Sequence, residues 1–416
     1  MQKDCIKCKG KNPLKYCGKT RCPILAKTEA MIKTRPKLKQ NWQGSTPNIF
    51  ISRGGYPNLN VGILSPPEIN NTEIYDAPMQ WSQQNYQISQ IINLRSALVN
   101  SRFISNIKGT GKLVEIAQEI GMASCPVELE ITLKNKPQFS FNTSPFTAPM
   151  GPNAFLENIQ ITSNPKINRA VDRIVSDTDF KAQNATTELY QRGYDENFLT
   201  KLFSTGNLGI KYQRKFVPTR WSITAVDDIL AKNLIDEIKY NEHAEHCAFY
   251  GNYLGNYYLV LIFPGPWSYE LFEIYKPEAS WNTSKDFIYT TDYEPYSGRK
   301  AYAENCAGGY YAARLAILEK LKELKFQGSV IALRMITPDY YCPLGVFVVR
   351  EATRKSLQNK PIYFENKELM INYARLIIKK KWGYDINKVL NGSIILKQFK
   401  EQSKLSQFFN LNQAPL

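Results

Sequence analysis

Apolar residues recur every three to four positions in several segments of the chain, which predicts helices there. The most regular of these segments are 88–99, 112–120, 168–175, 185–192 and 367–381. Two further helices are expected, one over 229–238 and one that begins near Cys306 and runs past Leu324. Gly193 directly follows the segment 185–192, where it is expected to end that helix.

Other segments alternate apolar and polar residues or are almost continuously apolar, as β-strands are. The predicted strands are 49–52, 61–67, 127–133, 257–263, 269–275, 330–336 and 345–350. Pro264-Gly265-Pro266 separates two of them, so a β-hairpin or two adjacent strands are expected there. Residues 330–336 and 345–350 are expected to pair. Gly54-Gly55 predicts a turn, since no Gly-Lys-Ser/Thr follows that would make it a nucleotide-binding loop.

Strands that alternate with long helices place the fold in the α/β or α+β class, with a mixed sheet core and flanking helices. Five regions are expected along the chain. They are a small cysteine-rich knuckle at 1–30, a basic helix and linker at 31–47, an α+β core at 48–295, a C-terminal α/β part with a basic helix at 296–398, and a flexible tail at 399–416.

Length and composition are those of a globular protein. The chain has 416 residues, 43% of them apolar and 12% aromatic, which suffices for two or three domains with large cores. No apolar run approaches the roughly 20 residues of a membrane helix, and no apolar stretch follows the basic start of the chain. We therefore expect a cytoplasmic protein without a membrane partner.

Positive charge is concentrated at the two ends of the chain. The net charge is +16, of which residues 1–40 carry +10 and residues 354–404 carry +8, so the remainder is about −2. Basic ends on a nearly neutral body are typical of contacts with an anionic polymer, because neutralising phosphates releases counterions. Solubility alone is the alternative explanation of a basic composition.

Four cysteines lie within eighteen residues near the N-terminus: Cys5, Cys8, Cys17 and Cys22. A Cys-x-x-Cys pair with glycine and proline turns suits a tetrahedral thiolate site for one structural Zn²⁺, which a segment too short for its own core needs in order to fold. Disulfides are the alternative, and a cytosolic chain disfavours them. Basic residues interleave the cysteines, among them Lys7, Lys9 and Lys11, so the knuckle is expected to contact phosphates, unless it serves as a structural clip or binds a protein.

Two carboxylate pairs are the weak candidates for catalysis. Asp227-Asp228 ends the segment 217–228, which also holds Arg220, Trp221 and Thr224, a possible cap of the following helix. Asp177 and Asp179 form the second pair. If the two pairs met, they would suit Mg²⁺ or Mn²⁺ and the attack on a phosphodiester. A helix dipole that favours carboxylates in its first turn explains Asp227 and Asp228 without catalysis.

Three other groups have both a functional and a structural explanation. His243 and His246 would share one helix face beside Cys247, as a second metal site, a general base or a plain surface pair. Gly308-Gly309 would let a phosphate approach a helix N-terminus near Arg299 and Lys300, or would allow close helix packing. Lys379, Lys380 and Lys381, beside Trp382, suit either a helix dipole or a nucleic-acid strand.

The C-terminal sequence Gln402-Ser-Lys-Leu-Ser-Gln-Phe-Phe409 is the most specific motif in the chain. A turn of 3₁₀-like helix brings Gln402, Leu405 and Phe408 onto one side with Phe409 beside them. This pattern resembles the motif by which replication and repair proteins dock on the sliding clamp PCNA. The alternative is a C-terminal helix whose apolar residues pack back on the body.

Three internal segments and both ends resemble the archaeal Nre family of DNA-repair proteins. The segments are Val217-Pro-Thr-Arg-Trp-Ser-Ile-Thr-Ala-Val-Asp-Asp228, Cys306-Ala-Gly-Gly-Tyr-Tyr-Ala-Ala-Arg314 and Pro343-Leu-Gly-Val-Phe-Val-Val-Arg-Glu351. The resemblance implies a role in the DNA-damage response through PCNA and a metal-binding knuckle, and it implies no settled catalytic activity. Carried over by position, the metal ligands are Cys5, Cys8, Cys17 and Cys22, and the clamp contacts are Gln402, Leu405, Phe408 and Phe409, with no departure at these eight positions.

The sequence therefore predicts a nucleoid-associated DNA-repair protein that PCNA recruits, with a zinc knuckle and basic patches on DNA. A first alternative is a metal-dependent enzyme acting on DNA or nucleotides through the aspartates named above. A second alternative is an RNA-binding zinc-knuckle protein.

Overall fold

The structure is a computed structural model that describes residues 7–8, 11–17, 21–139 and 147–401. Its first sheet is built from the strands β1 (Asn41–Thr46), β2 (Asn48–Ile51), β3 (Asn58–Ser65), β4 (Val99–Asn106), β5 (Val127–Leu133) and β6 (Asn153–Ile161). Their spatial order is β1-β5-β6-β4-β3-β2. Neighbouring strands are antiparallel except β4 and β6, which are parallel.

Apolar and polar residues alternate along β5, and the apolar side chains lie on the face of the sheet that is covered by a helix. In β5, Val127, Leu129, Ile131 and Leu133 are buried, and the residues between them are more exposed. The helices of this half are α1 (Pro13–Cys17), α2 (Pro23–Thr34), α3 (Pro78–Gln83), α4 (Ile88–Ala97) and α5 (Lys112–Met122). The apolar face of α5 packs on the buried face of the sheet and closes its core.

A group of helices lies between the first sheet and the second. They are α6 (Arg169–Ser176), α7 (Ala182–Gln191), α8 (Glu196–Ser204) and α9 (Thr219–Ile238). Side chains cap two of them: Asn168 accepts from the amide of Ala170 at 3.1 Å, and Asp195 accepts from the amide of Asn197 at 2.8 Å. Short 3₁₀ turns cover Arg35–Lys37, Thr72–Asp76 and Lys211–Gln213.

The second sheet is mixed and forms the centre of the C-terminal half. Two short parallel strands stand outside it, β7 (Glu242–His243) and β12 (Phe326–Gln327). Its own strands are β8 (Cys247–Tyr253), β9 (Asn256–Phe263), β10 (Ser268–Tyr275), β11 (Ile288–Glu294), β13 (Ser329–Ile336) and β14 (Ile362–Tyr363), in the order β11-β10-β13-β9-β8-β14. Every residue of β13 is buried, as expected of a central strand.

Helices cover both faces of the second sheet. The remaining helices are α10 (Gly308–Leu324), α11 (Phe347–Gln358), α12 (Lys367–Trp382), α13 (Asn387–Leu390) and α14 (Ile394–Glu401). In β9, Tyr258, Val260 and Ile262 belong to the core shared with α9, α10 and α11, and the alternate residues belong to the core shared with α12, α13 and α14. This half is a three-layer α/β/α arrangement, so the predicted mixed sheet with flanking helices is confirmed.

Three sequence expectations about strands were wrong. Within 345–350, where a strand was expected, residues 347–350 begin helix α11, since packing in the core outweighs the β-propensity of Val348 and Val349. The strands β9 and β10 are not neighbours, because β13 lies between them. Residues 41–46, expected to be a linker, form β1, which pairs with β5 over six residues.

No helix within the described ranges is both long and apolar enough to cross a membrane.

Candidate functional site

Of the four candidate zinc ligands, Cys8, Cys17 and Cys22 are described, and none of the three is disulfide-bonded. Cys8 is buried, and the other two are partly buried. Four thiols are a donor set that zinc prefers, but Cys5 lies outside the described residues. Among the residues that the structure describes, no three His, Cys, Asp or Glu side chains converge as a metal site. The zinc site therefore stays a prediction.

The clamp motif also lies outside the described residues, which end one position before Gln402. The helix that leads to it, α14, is held at its start by Glu270 of β10. The Glu270 carboxylate accepts from the Ser393 hydroxyl at 2.5 Å and from the Ile394 amide at 3.0 Å. The segment with Gln402, Leu405, Phe408 and Phe409 therefore follows a helix that is fixed to the second sheet.

The two histidines do not share a helix face. His243 lies in β7, and Cys247 already belongs to β8, so the backbone around them is extended where a helix was expected. The His246 ring packs edge-on against Phe263, with 6.1 Å between the ring centroids. Cys247 is buried, and that burial raises the pKa of its thiol to about 12, as expected of a structural cysteine.

Asp227 and Asp228 point into two different ion-pair networks. The Asp227 carboxylate accepts from Arg350 Nη2 at 2.5 and 2.7 Å, and the Asp228 carboxylate accepts from Arg314 at 2.5 Å. Arg314 also pairs with the buried Glu294. Both carboxylates are thus neutralised by basic side chains, Asp227 in the interior and Asp228 at a partly exposed position where Lys232 also pairs with it.

The other catalytic candidates are at the surface. Asp177 and Asp179 are exposed, and Asp177 accepts from the amide of Asp179 at 3.0 Å, which is a local turn contact. Arg220 is exposed in the first turn of α9. Thr224 lies inside α9, whose N-cap is Pro218, so its predicted capping role was wrong. The structure thus does not gather the four aspartates at one point.

The network that contains Asp227 joins four helices, α8, α9, α10 and α11. Glu196 of α8 accepts from Arg350 at 3.2 Å and from Arg354 at 3.0 Å, and Arg354 reaches Glu319 of α10 at 2.8 Å. Burial alone would raise the pKa of Glu196, but the two guanidinium groups outweigh it and lower this pKa to about 2. This network fixes α8, α9, α10 and α11 relative to one another.

Gly308 and Gly309 serve packing at the start of α10. A Cβ on Gly309 would lie 2.6 Å from the Glu273 carboxylate, and one on Gly308 would lie 3.0 Å from Val346. The amide of Cys306 already donates to Asp292 at 2.8 Å, and Arg299 pairs with the same carboxylate. With two carboxylates beside it, this helix start is unsuited to an anion.

The predicted basic residues differ in accessibility. Lys7 and Lys11 are exposed, and Lys9 lies outside the described residues. Lys379, Lys380 and Lys381 are exposed at the end of α12. Trp382 beside them is partly buried against Tyr257, with 5.3 Å between the ring centroids. The patch at the end of α12 is therefore a cationic surface without an exposed tryptophan.

An exposed aromatic pair lies at the edge of the first sheet. Tyr56, in the turn between β2 and β3, and Trp221, in the first turn of α9, have ring centroids 5.6 Å apart. Tyr56 is 48% exposed and Trp221 is 46% exposed. Exposed Arg220 directly precedes Trp221, and exposed Arg53 lies three positions before Tyr56. An open aromatic face beside arginines is what successive bases of a single strand stack on.

A cavity of about 290 Å³ opens between the first sheet and the helices α8, α9 and α11. Its walls come from segments far apart in the chain. They include Phe50, Asp76, Arg95, Leu98, Asn100, Met150, Asn197, Lys201, Thr219, Ile223, Val346, Phe347 and Arg350. Sequence analysis found none of these residues as a site, because no two of the segments form a local motif.

Two glycines make this cavity possible. A Cβ on Gly151 would lie 1.7 Å from the carbonyl oxygen of Leu98, and one on Gly62 would lie 1.9 Å from the Asn100 carboxamide. Only glycine therefore lets the 147–152 loop close against β4 and lets Asn100 lie across β3.

Lys201 is a buried cation of the cavity wall. Its ammonium donates to the carbonyl oxygen of Ala123 at 2.8 Å. Burial lowers the pKa of Lys201 to about 8, even though Asp195 and Asp76 raise it.

Comparison with known proteins identifies relatives over most of the chain. The family profile described as "Archaeal Nre, N-terminal" matches residues 16–282, and the one described as "Archaeal Nre, C-terminal" matches residues 294–408. No solved structure matches the chain.

Three curated relatives are each named a DNA repair protein. NreB of Archaeoglobus fulgidus is 31% identical over 401 residues, which is 96% of this chain and 98% of that protein. NreA of the same organism is 36% identical over 389 residues, with 91% and 95% covered. NreA of Haloferax volcanii is 34% identical over 333 residues, with 76% and 78% covered.

Proposed function

The chain belongs to the archaeal Nre family, and we propose that it acts in DNA repair. The observation that carries this proposal is the extent of the similarity. Relatives named DNA repair proteins align with between 76% and 96% of the chain at 31% to 36% identity. A similarity of this length covers the whole architecture, not one shared motif.

The C-terminal tail is proposed to dock the protein on the sliding clamp PCNA. Its Gln402, Leu405, Phe408 and Phe409 match the clamp motif, and it directly follows α14, which Glu270 fixes to the second sheet. A short flexible tether raises the local concentration of the body at DNA to roughly millimolar. A clamp contact of modest affinity is then sufficient to keep the protein at the replication or repair site.

DNA is proposed to contact the aromatic pair Tyr56–Trp221 and the lysines at the end of α12. The pair offers open ring faces to bases, and Lys379, Lys380 and Lys381 offer exposed charge to phosphates. Lys7 and Lys11 add charge near the cysteine knuckle. In that knuckle Cys5, Cys8, Cys17 and Cys22 would hold one structural Zn²⁺, which would supply the folding free energy that so short a segment lacks.

The carboxylates give no support to a metal-dependent enzyme. Asp227 and Asp228 pair with arginines in separate networks, and Asp177 and Asp179 are exposed in a surface turn. Two-metal phosphodiester chemistry needs ions about 4 Å apart, held by shared carboxylates.

Calorimetric titration against the sliding clamp tests the recruitment proposal. The full chain is compared with its Phe408→Ala, Phe409→Ala variant and with Leu411→Ala, which changes a neighbouring apolar residue outside the motif. We expect clamp binding by the wild type and by Leu411→Ala, and none by the double variant. Equal binding by all three would place the clamp contact elsewhere. Absence of clamp binding, together with equal affinity for duplex DNA and structured RNA, would favour the RNA-binding alternative.

A further inference from the structure

Among the basic residues that line the cavity beside α8, α9 and α11, Lys201 alone has no carboxylate within ion-pair distance in the described part of the chain. Arg350 faces Asp227 and Glu196, and Arg95 lies 3.5 Å from Asp76. The Lys201 ammonium donates to the neutral carbonyl of Ala123, and Asp195 and Asp76 act on its charge only from beyond ion-pair distance. A buried ammonium in this setting is stabilised by an anion that enters the cavity.

Two helices begin at the same cavity without a side-chain cap. Thr219 opens α9 and Val346 precedes α11, and neither helix start has a side-chain cap hydrogen bond. The first amides of a helix have no partner within that helix, and the helix dipole is positive at this end. Both helix starts line the same cavity as Lys201, which makes this cavity suited to a phosphate.

The cavity wall also has apolar side chains and two buried polar atoms without a hydrogen-bond partner in the described part of the chain. Phe50, Leu98 and Phe347 line it, and Met150 stands 52% exposed at the rim. The Asn100 carboxamide oxygen is buried and has no hydrogen-bond partner within the described part of the chain. The Nε of Arg350, itself only 2% exposed, likewise has none there. Apolar surfaces with a few polar groups are typical of sites for flat ring systems.

We propose that this cavity binds one nucleotide, with its phosphate at Lys201 and the two helix starts and its base between the apolar walls, edge-on to Asn100. The volume of about 290 Å³ lies at the lower end of the range of roughly 300 to 1,000 Å³ for small-molecule sites, which suits a mononucleotide better than a dinucleotide. The nucleotide has two conceivable sources, a free nucleotide or the end or an unstacked residue of a DNA strand. The site does not depend on clamp binding, since its walls belong to the body of the protein.

The test is calorimetry on the full chain with several probes. These are dAMP, dTMP, inorganic phosphate, and one single-stranded oligonucleotide with and without a 5′-phosphate. The blocking variant is Ile223→Trp, since Ile223 is a partly buried residue of the cavity wall. Ile229→Trp is the matched control, because Ile229 is a partly buried residue of the same helix that does not line the cavity. Lys201→Met is a second, independent variant.

We expect a deoxynucleotide or the oligonucleotide to bind more tightly than inorganic phosphate. Ile223→Trp and Lys201→Met should each weaken that binding roughly tenfold or more, and Ile229→Trp should not. Preference for mononucleotides indicates a free ligand, and preference for the 5′-phosphorylated strand indicates DNA.

Binding that neither variant weakens, binding of phosphate alone, or no binding by any probe overturns the proposal. Thermal unfolding of each variant identifies one that fails to fold, in which case the other variant decides. Clamp titration of Ile223→Trp should match the wild type, which separates this result from the recruitment proposal.

Discussion

The rings of Tyr56 and Trp221 contact each other at the surface, with 5.6 Å between their centroids and an angle of 49° between their planes. One residue comes from a turn of the first sheet and the other from the first turn of α9. An amide of β2 holds the two elements together, since Ile51 donates to the Thr219 hydroxyl at 2.9 Å. The pair is thus positioned by the fold and yet open to a ligand.

Trp221→Ala is expected to weaken single-stranded DNA binding and to leave stability unchanged. Loss of one base–aromatic stacking contact costs about 1–3 kcal/mol, which corresponds to roughly 5- to 150-fold in affinity. Because Trp221 is half exposed, little core packing is lost. Fluorescence anisotropy with a labelled single strand measures the affinity.

Tyr240→Ala is the control for this prediction. Tyr240 is 93% exposed just beyond the end of α9, at the opposite end from Trp221. Its removal should leave DNA affinity unchanged. Equal losses in both variants, or none in Trp221→Ala, would contradict a stacking role for the pair.

Helices and strands whose apolar residues follow a clear period within one segment were predictable from the sequence. β5 was expected at 127–133 and has the same bounds, because its apolar residues alternate along a sheet with one covered face. β1 was missed, since its polar Asn41-Trp-Gln-Gly-Ser-Thr46 becomes a strand only through pairing with β5. The start of α11 was missed for a similar reason: its valines favour a strand, and only the surrounding core makes them helical.

The candidate sites likewise fall into two groups, those that a local sequence pattern predicts and those that only the fold brings together. The candidate zinc ligands and the clamp motif each lie within one short stretch of the sequence, so the spacing of their residues is enough to predict them. The cavity takes Asn100, Lys201 and Val346 from three distant segments, and the aromatic pair joins Tyr56 to Trp221. No sequence period relates such residues, because chain topology decides their proximity.

Purified protein is expected to contain about one zinc ion per chain, measured by elemental analysis. Cys22→Ser should lower the zinc content and weaken retention against a chelator, because a tetrahedral thiolate site loses one of its four donors. Cys125→Ser is the control, since Cys125 is exposed and outside the knuckle. Zinc at equal content in both variants would contradict the assigned ligands, and absence of zinc from the wild type would contradict the site.

Glu196→Gln is expected to destabilise the fold by about 3–5 kcal/mol, since Arg350 and Arg354 would each lose a buried partner. Glu188→Gln is the control, because Glu188 pairs only with the largely exposed Arg173 and Arg192 and should cost about 0–1 kcal/mol. Urea unfolding measures both values. Comparable losses of stability in the two variants would mean that the ion pairs of Glu196 do not hold these helices together.

At acid pH, Glu196 should no longer contribute to the stability of the fold. The folded-state pKa of this carboxyl is about 2, below its ordinary value of 4.5. Its contribution to stability is therefore complete above about pH 4.5 and is lost as the pH falls through about 2. Glu196→Gln should accordingly lie closer to the wild type in stability near pH 3 than at neutral pH. A stability difference that stays constant over this interval would contradict the lowered pKa.

Lys201 should make the stability of the protein depend on pH in the opposite range. Burial lowers its folded-state pKa to about 8, whereas the unfolded chain keeps the ordinary value of 10.5. Between these values the unfolded chain binds more protons, so the stability contributed by this site rises with pH. Relative to Lys201→Met, the wild type should gain about 2 kcal/mol in its free energy of unfolding from about pH 7 to about pH 9.5, since one pKa unit is about 1.4 kcal/mol.

This comparison cancels the effect of the tyrosines and cysteines, because they titrate in both proteins. Lys215→Met, at an exposed position, should show no such change. A wild-type advantage that is flat in pH would mean that water or an anion already compensates the Lys201 charge.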